Sequence, residues 1–488
     1  MFSQPIDTLI VFTVTTPLIG WLETKTHLKN LCGVYVAVGL ILSSLSLHKL
    51  FTKALSGPVT LPVKISPFSS CLVIDRLSVF MALIFTILGL LATVYSIEYM
   101  KEDDGIPFYY TLLSAMICGM LGVAFAGDFF TLFVFWELMC ISSYALVAFR
   151  KHEWEPVEAG LKYLVMSSAG SASMLFGISL LYGLTGTLSF VQTSSMAVNS
   201  NIWGYVSLAF ILLGFGVKAA IFPLHMWLPD AHPAAPTPIS ALLSGIVIKT
   251  GVYAIIRSLF FVYSPINSSW QAVLMAISIL TMSYGNLAAL LQDDIKRLLA
   301  YSSIAQIGYI LFAVSTATTQ ANAVLGLTAA LMHIMNHALM KGLLFLCAGA
   351  FIYRAGTRSL ARLSGIGRRM PLTAIAFAIG ALAISGIPPL NGFISELMII
   401  YSGIRCNAYI PTAILLANIL LGFAYYLRLI RIIIWSSPSG RINRVHEAPF
   451  LMLIPIILLA LACVAIGIYP SPFIEFARQA AESLIASD

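Results

Sequence analysis

Apolar residues run along this chain in long stretches separated by short polar loops. An α-helix needs ~20 apolar residues to cross a hydrocarbon core of ~30 Å, and the runs predict about fourteen such helices. They lie at roughly 5–22, 31–50, 77–97, 108–126, 129–149, 161–183, 203–224, 239–262, 270–291, 298–316, 323–350, 372–402, 408–434 and 449–469. No loop between them is long enough for a separate domain. The first run, Pro5 to Trp21, has no basic segment before it, and Glu23 and Lys25 follow it. It reads as the first span and not as a cleaved signal. The expected fold is an all-α polytopic membrane protein.

Composition excludes other classes. Charged residues make up 10% of the 488 residues and apolar ones 59%, with a mean hydropathy of +0.93. Soluble globular chains carry about 25% charged residues. A nucleic-acid-binding domain, a disordered chain and an ordinary cytosolic enzyme are thereby ruled out. The net charge of +7 resides in short loops, where it governs orientation. With the N-terminus placed outside, seventeen basic residues face the cytoplasm: Lys25, Lys29, Lys101, Arg150, Lys151, Lys162, Lys296, Arg297, Arg354, Arg358, Arg362, Arg368, Arg369, Arg428, Arg431, Arg441 and Arg444. Seven face the other side: Lys49, Lys53, Lys64, Arg76, Arg257, Arg405 and Arg478. The bias predicts a plasma-membrane protein with both termini outside. The arginines from 354 to 369 are chiefly part of this topology signal.

Ionisable residues also fall inside the predicted spans: Glu137 in span 5, Lys218 in span 7, Lys249 in span 8, His333, His337 and Lys341 in span 11, and Glu396 in span 12. Each costs about 2.5–3.5 kcal/mol on insertion scales. One alone could be a satisfied buried ion pair or a snorkelling side chain; as a set they describe a pathway for charge. Two spans are also broken. Span 12 contains Ser385-Gly386-Ile387-Pro388-Pro389-Leu390-Asn391-Gly392, and paired prolines remove two amide donors. Span 7 has Lys218 five residues before Pro223 and then a turn-rich stretch to Pro233. Interrupted helices at corresponding places in two halves point to an ion site. Spans 4–8 and 9–13 form two five-helix units, and the odd number of helices makes the second inverted. Four regions follow: 1–107 with three spans, 108–262 and 270–434 as the inverted repeats, and 449–488 with the last span and tail. Lys218 and Glu396 become counterparts.

Four stretches resemble the antiporter-like membrane subunits of respiratory complex I, the Mrp cation/proton antiporters and the energy-converting hydrogenases. They are Gly127-Asp128-Phe129 through Trp136-Glu137-Leu138, Pro223-Leu224-His225-Met226-Trp227-Leu228-Pro229-Asp230-Ala231-His232, Gln292-Asp293-Asp294-Ile295-Lys296-Arg297 through Ser303, and His333-Ile334-Met335-Asn336-His337-Ala338-Leu339-Met340-Lys341. The likeness spans about residues 70 to 435. It implies that Glu137 pairs with Lys218, that Lys249 is a bridging lysine, that His333, His337 and Lys341 continue the route, and that Glu396 ends the second half-channel. A glutamate at 396 is more similar to the subunit M branch and some hydrogenase subunits than to the L or N branches. The lack of a long lateral C-terminal helix also argues against an L-type subunit. Such residue types suit a relay, since burial disfavours an ammonium and a nearby carboxylate favours it.

The expected function is proton translocation within a redox-driven membrane complex. Its partners would be sibling antiporter-like subunits, a peripheral electron-transfer arm, the lipid bilayer, and protons or Na+, with no nucleic acid. The alternatives are an Mrp-type Na+/H+ antiporter subunit without redox partners and a scaffold without transport. No cofactor is expected: the chain has no P-loop and no G-x-G-x-x-G opening a βαβ unit. The seven cysteines (Cys32, Cys71, Cys118, Cys140, Cys347, Cys406, Cys463) are scattered without a C-x-x-C pair and read as apolar packers. His333 and His337 lack the glutamate and third ligand of a zinc site. His225 and His232 flank a turn and read as structural, with a part in the proton path as the sharper alternative. Asp293, Asp294, Lys296 and Arg297 read as a solvated loop that locks against the protein.

Overall fold

A computed structural model describes residues 5–26, 30–54, 57–62, 71–194, 202–261, 263, 270–438, 442 and 445–485. Helices α1 (Pro5–Thr26) and α2 (Leu31–Ala54) lead into a hairpin of β1 (Val59–Pro62) and β2 (Cys71–Ile74). Then come α3 (Arg76–Tyr99), α4 (Ile106–Phe125), α5 (Phe129–Val147), α6 (Trp154–Thr185), the short α7 (Phe190–Ser194), α8 (Ile202–Ala219), α9 (Leu228–Ala234) and α10 (Thr237–Leu242). A π-helical turn at Leu243–Val247 joins α10 to α11 (Ile248–Phe261). The rest are α12 (Trp270–Leu290), α13 (Ile295–Ser315), α14 (Gln320–Ala355), α15 (Pro371–Ile384), α16 (Asn391–Arg405), α17 (Tyr409–Ile430), α18 (Phe450–Ile468) and α19 (Ser471–Ile485).

Among the described residues thirteen helices are long and apolar enough to cross a membrane. Expected span 12 is missing from that set because it is split into α15 and α16. Expected span 7 ends as a helix at Ala219, and the chain resumes helical structure only at Leu228. Large apolar side chains such as Val14, Leu18, Leu161, Val273, Leu420 and Leu461 point outward, which a water-exposed surface avoids and a lipid-facing one requires. The hairpin was not anticipated. Strands of four residues are too short for a period-two pattern to stand out between apolar runs, and β2 is held by Gly127, whose amide donates to the Cys71 carbonyl at 3.0 Å.

Many of the residues counted as loop charges lie within helices, and Lys162, Lys296 and Arg257 are among them. Lys162 lies within α6, half exposed. Lys296 falls in the first turn of α13 and is buried. Arg257 is buried in α11 and pairs with Asp75, which itself forms a capping box with Ser78 at the start of α3. A charged head at a span end can be drawn inward when another helix supplies its counterion, which hydropathy does not reveal. Lys29, Lys64, Arg441 and Arg444 lie outside the described residues.

Two turns are built alike. Asp128 caps α5, accepting from the Thr131 amide at 2.7 Å, and Asp294 caps α13, accepting from the Lys296 amide at 2.8 Å. The long helices that follow, α6 and α14, both stop at a left-handed glycine, Gly186 and Gly356. The next residues return to the cap. The Phe129 amide donates to the Leu188 carbonyl and the Ile295 amide to the Arg358 carbonyl, while Phe190 donates to Gly127 and Leu360 to Asp293. Each turn also reads Gly-Thr-x-Ser, at 186–189 and 356–359.

Helix α14 is the central spine. Its middle is buried on every side, and it packs against α13, α15, α16, α18 and α19. The start of α15 is capped by a residue from a distant loop: the Glu447 carboxylate accepts from the Leu372 amide at 2.8 Å and the Thr373 hydroxyl at 2.6 Å, and Arg354 donates to its carbonyl. Loss of a helix cap costs about 0.5–2 kcal/mol. Glu447→Ala is therefore expected to lower the melting temperature of the purified protein in scanning fluorimetry while leaving transport per assembled complex unchanged.

Candidate functional site

Both interrupted spans satisfy their freed backbone groups within the protein, as irregular backbone at membrane depth must. At the first break Ala220 adopts φ +55°. The Ile221 amide donates to the Gly216 carbonyl, the Phe222 amide to Thr281 Oγ1 at 3.2 Å, and Trp227 Nε1 to the Val217 carbonyl at 2.7 Å. At the second break Gly386 adopts φ +68°. Asn336 of α14 donates to the Asn391 carbonyl at 2.8 Å and accepts from the Asn391 amide group at 3.1 Å. Gly467 of α18 lies so close that a Cβ there would fall 2.1 Å from the Pro389 carbonyl oxygen. The break is thus clamped from two sides.

Lys218 stands one residue before the end of α8 and is buried. Its ammonium donates to Tyr163 Oη at 2.6 Å and to Ser143 Oγ at 3.2 Å. It also lies 4.7 Å from the centre of the Tyr163 ring. Glu137, half-buried, does not meet it: no ion pair joins them among the described residues, and Glu137 Oε1 is buried without a hydrogen-bond partner. Cys140, one turn on from Glu137, stands beside the lysine.

Lys249 sits in the first turn of α11, where its ammonium donates to the Ser244 carbonyl in the π-helical turn. A π turn frees backbone groups that an α-helix would engage. Ser244 Oγ meets Ser303 Oγ of α13 at 2.7 Å. Across from them, Lys341 donates to the Leu299 carbonyl at 2.8 Å, to Tyr426 Oη at 3.0 Å and to Ser302 Oγ. His333 is bracketed by Gln306 Oε1 at 2.6 Å and Ser395 Oγ at 2.9 Å. His337 lies nearly parallel to it, centroids 6.1 Å apart, with neither ring nitrogen hydrogen-bonded among the described residues. Both nitrogens of His333 are occupied, and the described residues contain no group of three metal-ligating side chains.

His232 is fully buried, stacks on Phe345 at 4.8 Å, and has no hydrogen-bond partner for either ring nitrogen among the described residues. Lys296 approaches through the carbonyls of Pro233 and Ala235, at 3.2 and 2.6 Å. Around that point Asp230 pairs with Lys162 at 3.1 Å and Arg297 at 3.4 Å, and Arg358 pairs with Glu155 at 2.9 Å and Asp294 at 3.2 Å. The mixed-sign loop does lock against the protein, with Lys296 inside it. At the first break His225 stacks on Phe222 and lies tilted against Tyr284, and those two rings also meet each other at 5.2 Å.

Glu396 in α16 is buried. Its carboxylate lies against Gly386, where a Cβ would fall 2.1 Å from Oε2. The sequence-derived candidates therefore fall into two assemblies. Glu137 and Lys218 share the α5–α6–α8 side, and Lys249, His333, His337, Lys341 and Glu396 line the interior around α14. Sequence reading missed the neutral partners, above all Tyr163, Ser143, Gln306 and Tyr426. A lone Tyr or Ser in an apolar run gives no signal; Trp227, Lys296 and Ser302 lay within the motifs already singled out.

The fold and these side chains define a multi-span membrane protein whose interior holds ionisable groups between two split helices. The family described as NADH:quinone oxidoreductase/Mrp antiporter, TM, matches residues 126–422, and that described as NADH-ubiquinone oxidoreductase (complex I), chain 5 N-terminus, matches 62–110. F(420)H(2) dehydrogenase subunit N of Methanosarcina mazei is 32% identical, with 99% of each chain covered. A Na(+)/H(+) antiporter subunit of Bacillus subtilis is 28% identical, covering 98% of this chain and 97% of that one. Among solved structures, a chain of the membrane-bound sulfane sulfur reductase, an archaeal respiratory membrane complex, superposes with a TM-score of 0.89 at 31% identity, covering 99% of this chain and 97% of that one. The chain belongs to the antiporter-like membrane subunit family shared by NADH:quinone oxidoreductases and Mrp antiporters.

Proposed function

We propose that this chain translocates protons as an antiporter-like subunit of a redox-driven membrane complex, of the NADH:quinone oxidoreductase or energy-converting hydrogenase kind. The observation that carries this reading is the set of buried Lys218, Lys249, Lys341, His337 and Glu396 between two split helices, each near a hydroxyl, carbonyl or second ionisable group. Lys218 takes up and releases the proton, Glu137 is its alternative partner, Lys249 bridges the halves, and His333, His337 and Lys341 pass charge on to Glu396. The twin capped turns at Asp128 and Asp294 favour two inverted five-helix units, 108–262 and 270–434. The basic residues gathered around Asp230 and Arg358 favour that face as cytoplasmic, with both termini outside. Redox relatives such as the F(420)H(2) dehydrogenase component favour sibling membrane subunits and a peripheral electron-transfer arm as partners.

An Mrp-type Na+/H+ antiporter subunit is the second reading, favoured by the nearly full-length match to the Bacillus subtilis antiporter chain. The two separate on isolation of the intact assembly from its own membranes through a tag on this chain. The first reading expects redox subunits as companions and vesicle acidification when an electron donor is oxidised. The second expects Na+-driven proton exchange with no donor. Neither activity in an intact assembly would leave the scaffold reading.

A further inference from the structure

We propose that Tyr163 and Trp227 are positioning residues that hold the Lys218 ammonium away from Glu137, so that the broken turn of span 7 decides which partner the lysine takes. The proposal rests on the reading above that Lys218 carries the translocated proton.

The geometry runs in one chain from the break to the lysine. Trp227 lies in the interrupted stretch and is buried. Its Nε1 donates to the carbonyl of Val217, the residue before Lys218, at 2.7 Å. Its indole stacks face to face on the Tyr163 ring, centroids 3.9 Å apart and planes within 3°. Tyr163, buried on α6, meets Ser143 Oγ at 3.0 Å and accepts from Lys218 at 2.6 Å. Ser143 stands six residues beyond Glu137 on α5, about 9 Å along the helix axis. The lysine is therefore held at the level of Ser143, with Cys140 between it and the carboxylate. One hydrogen bond and one stack tie both sides of the break to a single phenol. A shift of Trp227 relative to α8 moves that phenol and frees the ammonium to turn along α5 to Glu137, whose Oε1 is buried and has no hydrogen-bond partner among the described residues. The ionisable groups beside Lys218 are Cys140 and Tyr144 from α5 and Tyr163 from α6, with Glu137 one turn before Cys140. On α11, which packs on α8 at Gly251, the nearest in sequence is Lys249.

The test uses the whole complex in sealed vesicles and compares Tyr163→Phe, Trp227→Phe, Trp227→Ala and Lys218→Ala. Tyr163→Phe removes one hydrogen bond to a charged group and is expected to slow translocation about tenfold with assembly intact. Electron cryo-microscopy of that variant is expected to find Lys218 Nζ beside Glu137 and no longer at Ser143. Trp227→Phe keeps an aromatic stack but loses the Nε1 hydrogen bond to Val217 and is expected to slow translocation about threefold, while Trp227→Ala, which loses both contacts, behaves as Tyr163→Phe. Parent-like translocation by Tyr163→Phe, or Lys218 unmoved in its density, overturns the proposal. If Trp227→Ala does not assemble, Tyr163→Phe alone decides. Parent-like translocation by Lys218→Ala instead overturns the reading on which the proposal stands.

Discussion

Lys218→Ala abolishes donor-driven proton uptake in vesicles while the complex still migrates intact on a native gel: that is the expected result, and the largest single effect in the molecule. A positioned proton-transfer group contributes about 10²–10⁴-fold, so a fall of about 100-fold is the low end. The cage around the lysine explains why assembly survives. Tyr163 and Ser143 are neutral and hydrogen-bond to each other without the ammonium, so no buried counter-charge is stranded when it goes. Lys218→Arg separates charge from exchange. A guanidinium keeps the charge but is not deprotonated in proteins, so it is expected to assemble and fail to pump. Full pumping by the arginine variant would mean that the site needs a fixed cation and carries no proton.

The second large effect is expected at Gly386. Its φ of +68° already disfavours any side chain, and a Cβ would sit 2.1 Å from Glu396 Oε2. Backbone strain of this kind costs of order 1–3 kcal/mol, which a bundle this size tolerates; the collision is what matters. Gly392 and Gly467 pack the same break against Ala383 and Pro389, leaving the backbone little room to retreat, so the carboxylate must move. Gly386→Ala is expected to lower proton uptake at least as far as Glu396→Gln, which keeps the shape and removes the exchangeable proton. Both are measured as dye quenching in the same vesicles, normalised to assembled complex. A Gly386→Ala complex that pumps at the parent rate would show that the place of Glu396 against the break is immaterial.

The architecture was largely legible because lipid imposes a length on every crossing helix. Paired prolines at 388–389 and the Pro223–Pro233 stretch marked the two splits for the same reason: lost amide donors are conspicuous in an apolar run. Ionisable residues were equally conspicuous, and Lys218, Lys249, Lys341 and Glu396 are indeed buried. Their partners were not legible. Lys218 meets a tyrosine 55 residues away, and a tyrosine within a span is compositionally ordinary. The π turn that offers the Ser244 carbonyl to Lys249 has no signature in hydropathy. Lys296 was read as solvent-facing because it sits among Asp293, Asp294 and Arg297; those neighbours pair outward with Arg428, Arg358 and Asp230, and the lysine turns inward to carbonyls.

The pairing of Asp75 with Arg257 bears on biogenesis. These residues are 182 apart in the chain, and breaking such a buried pair costs about 3–5 kcal/mol. During translation, the carboxylate at the head of the third crossing exists long before its guanidinium has been made. At ~5–20 residues per second, the interval is on the order of ten to forty seconds. Through that time the Asp75 carboxylate is held only by its own helix start, through the Ser78 amide and hydroxyl, and the buried ion pair closes only once the eighth crossing has been made.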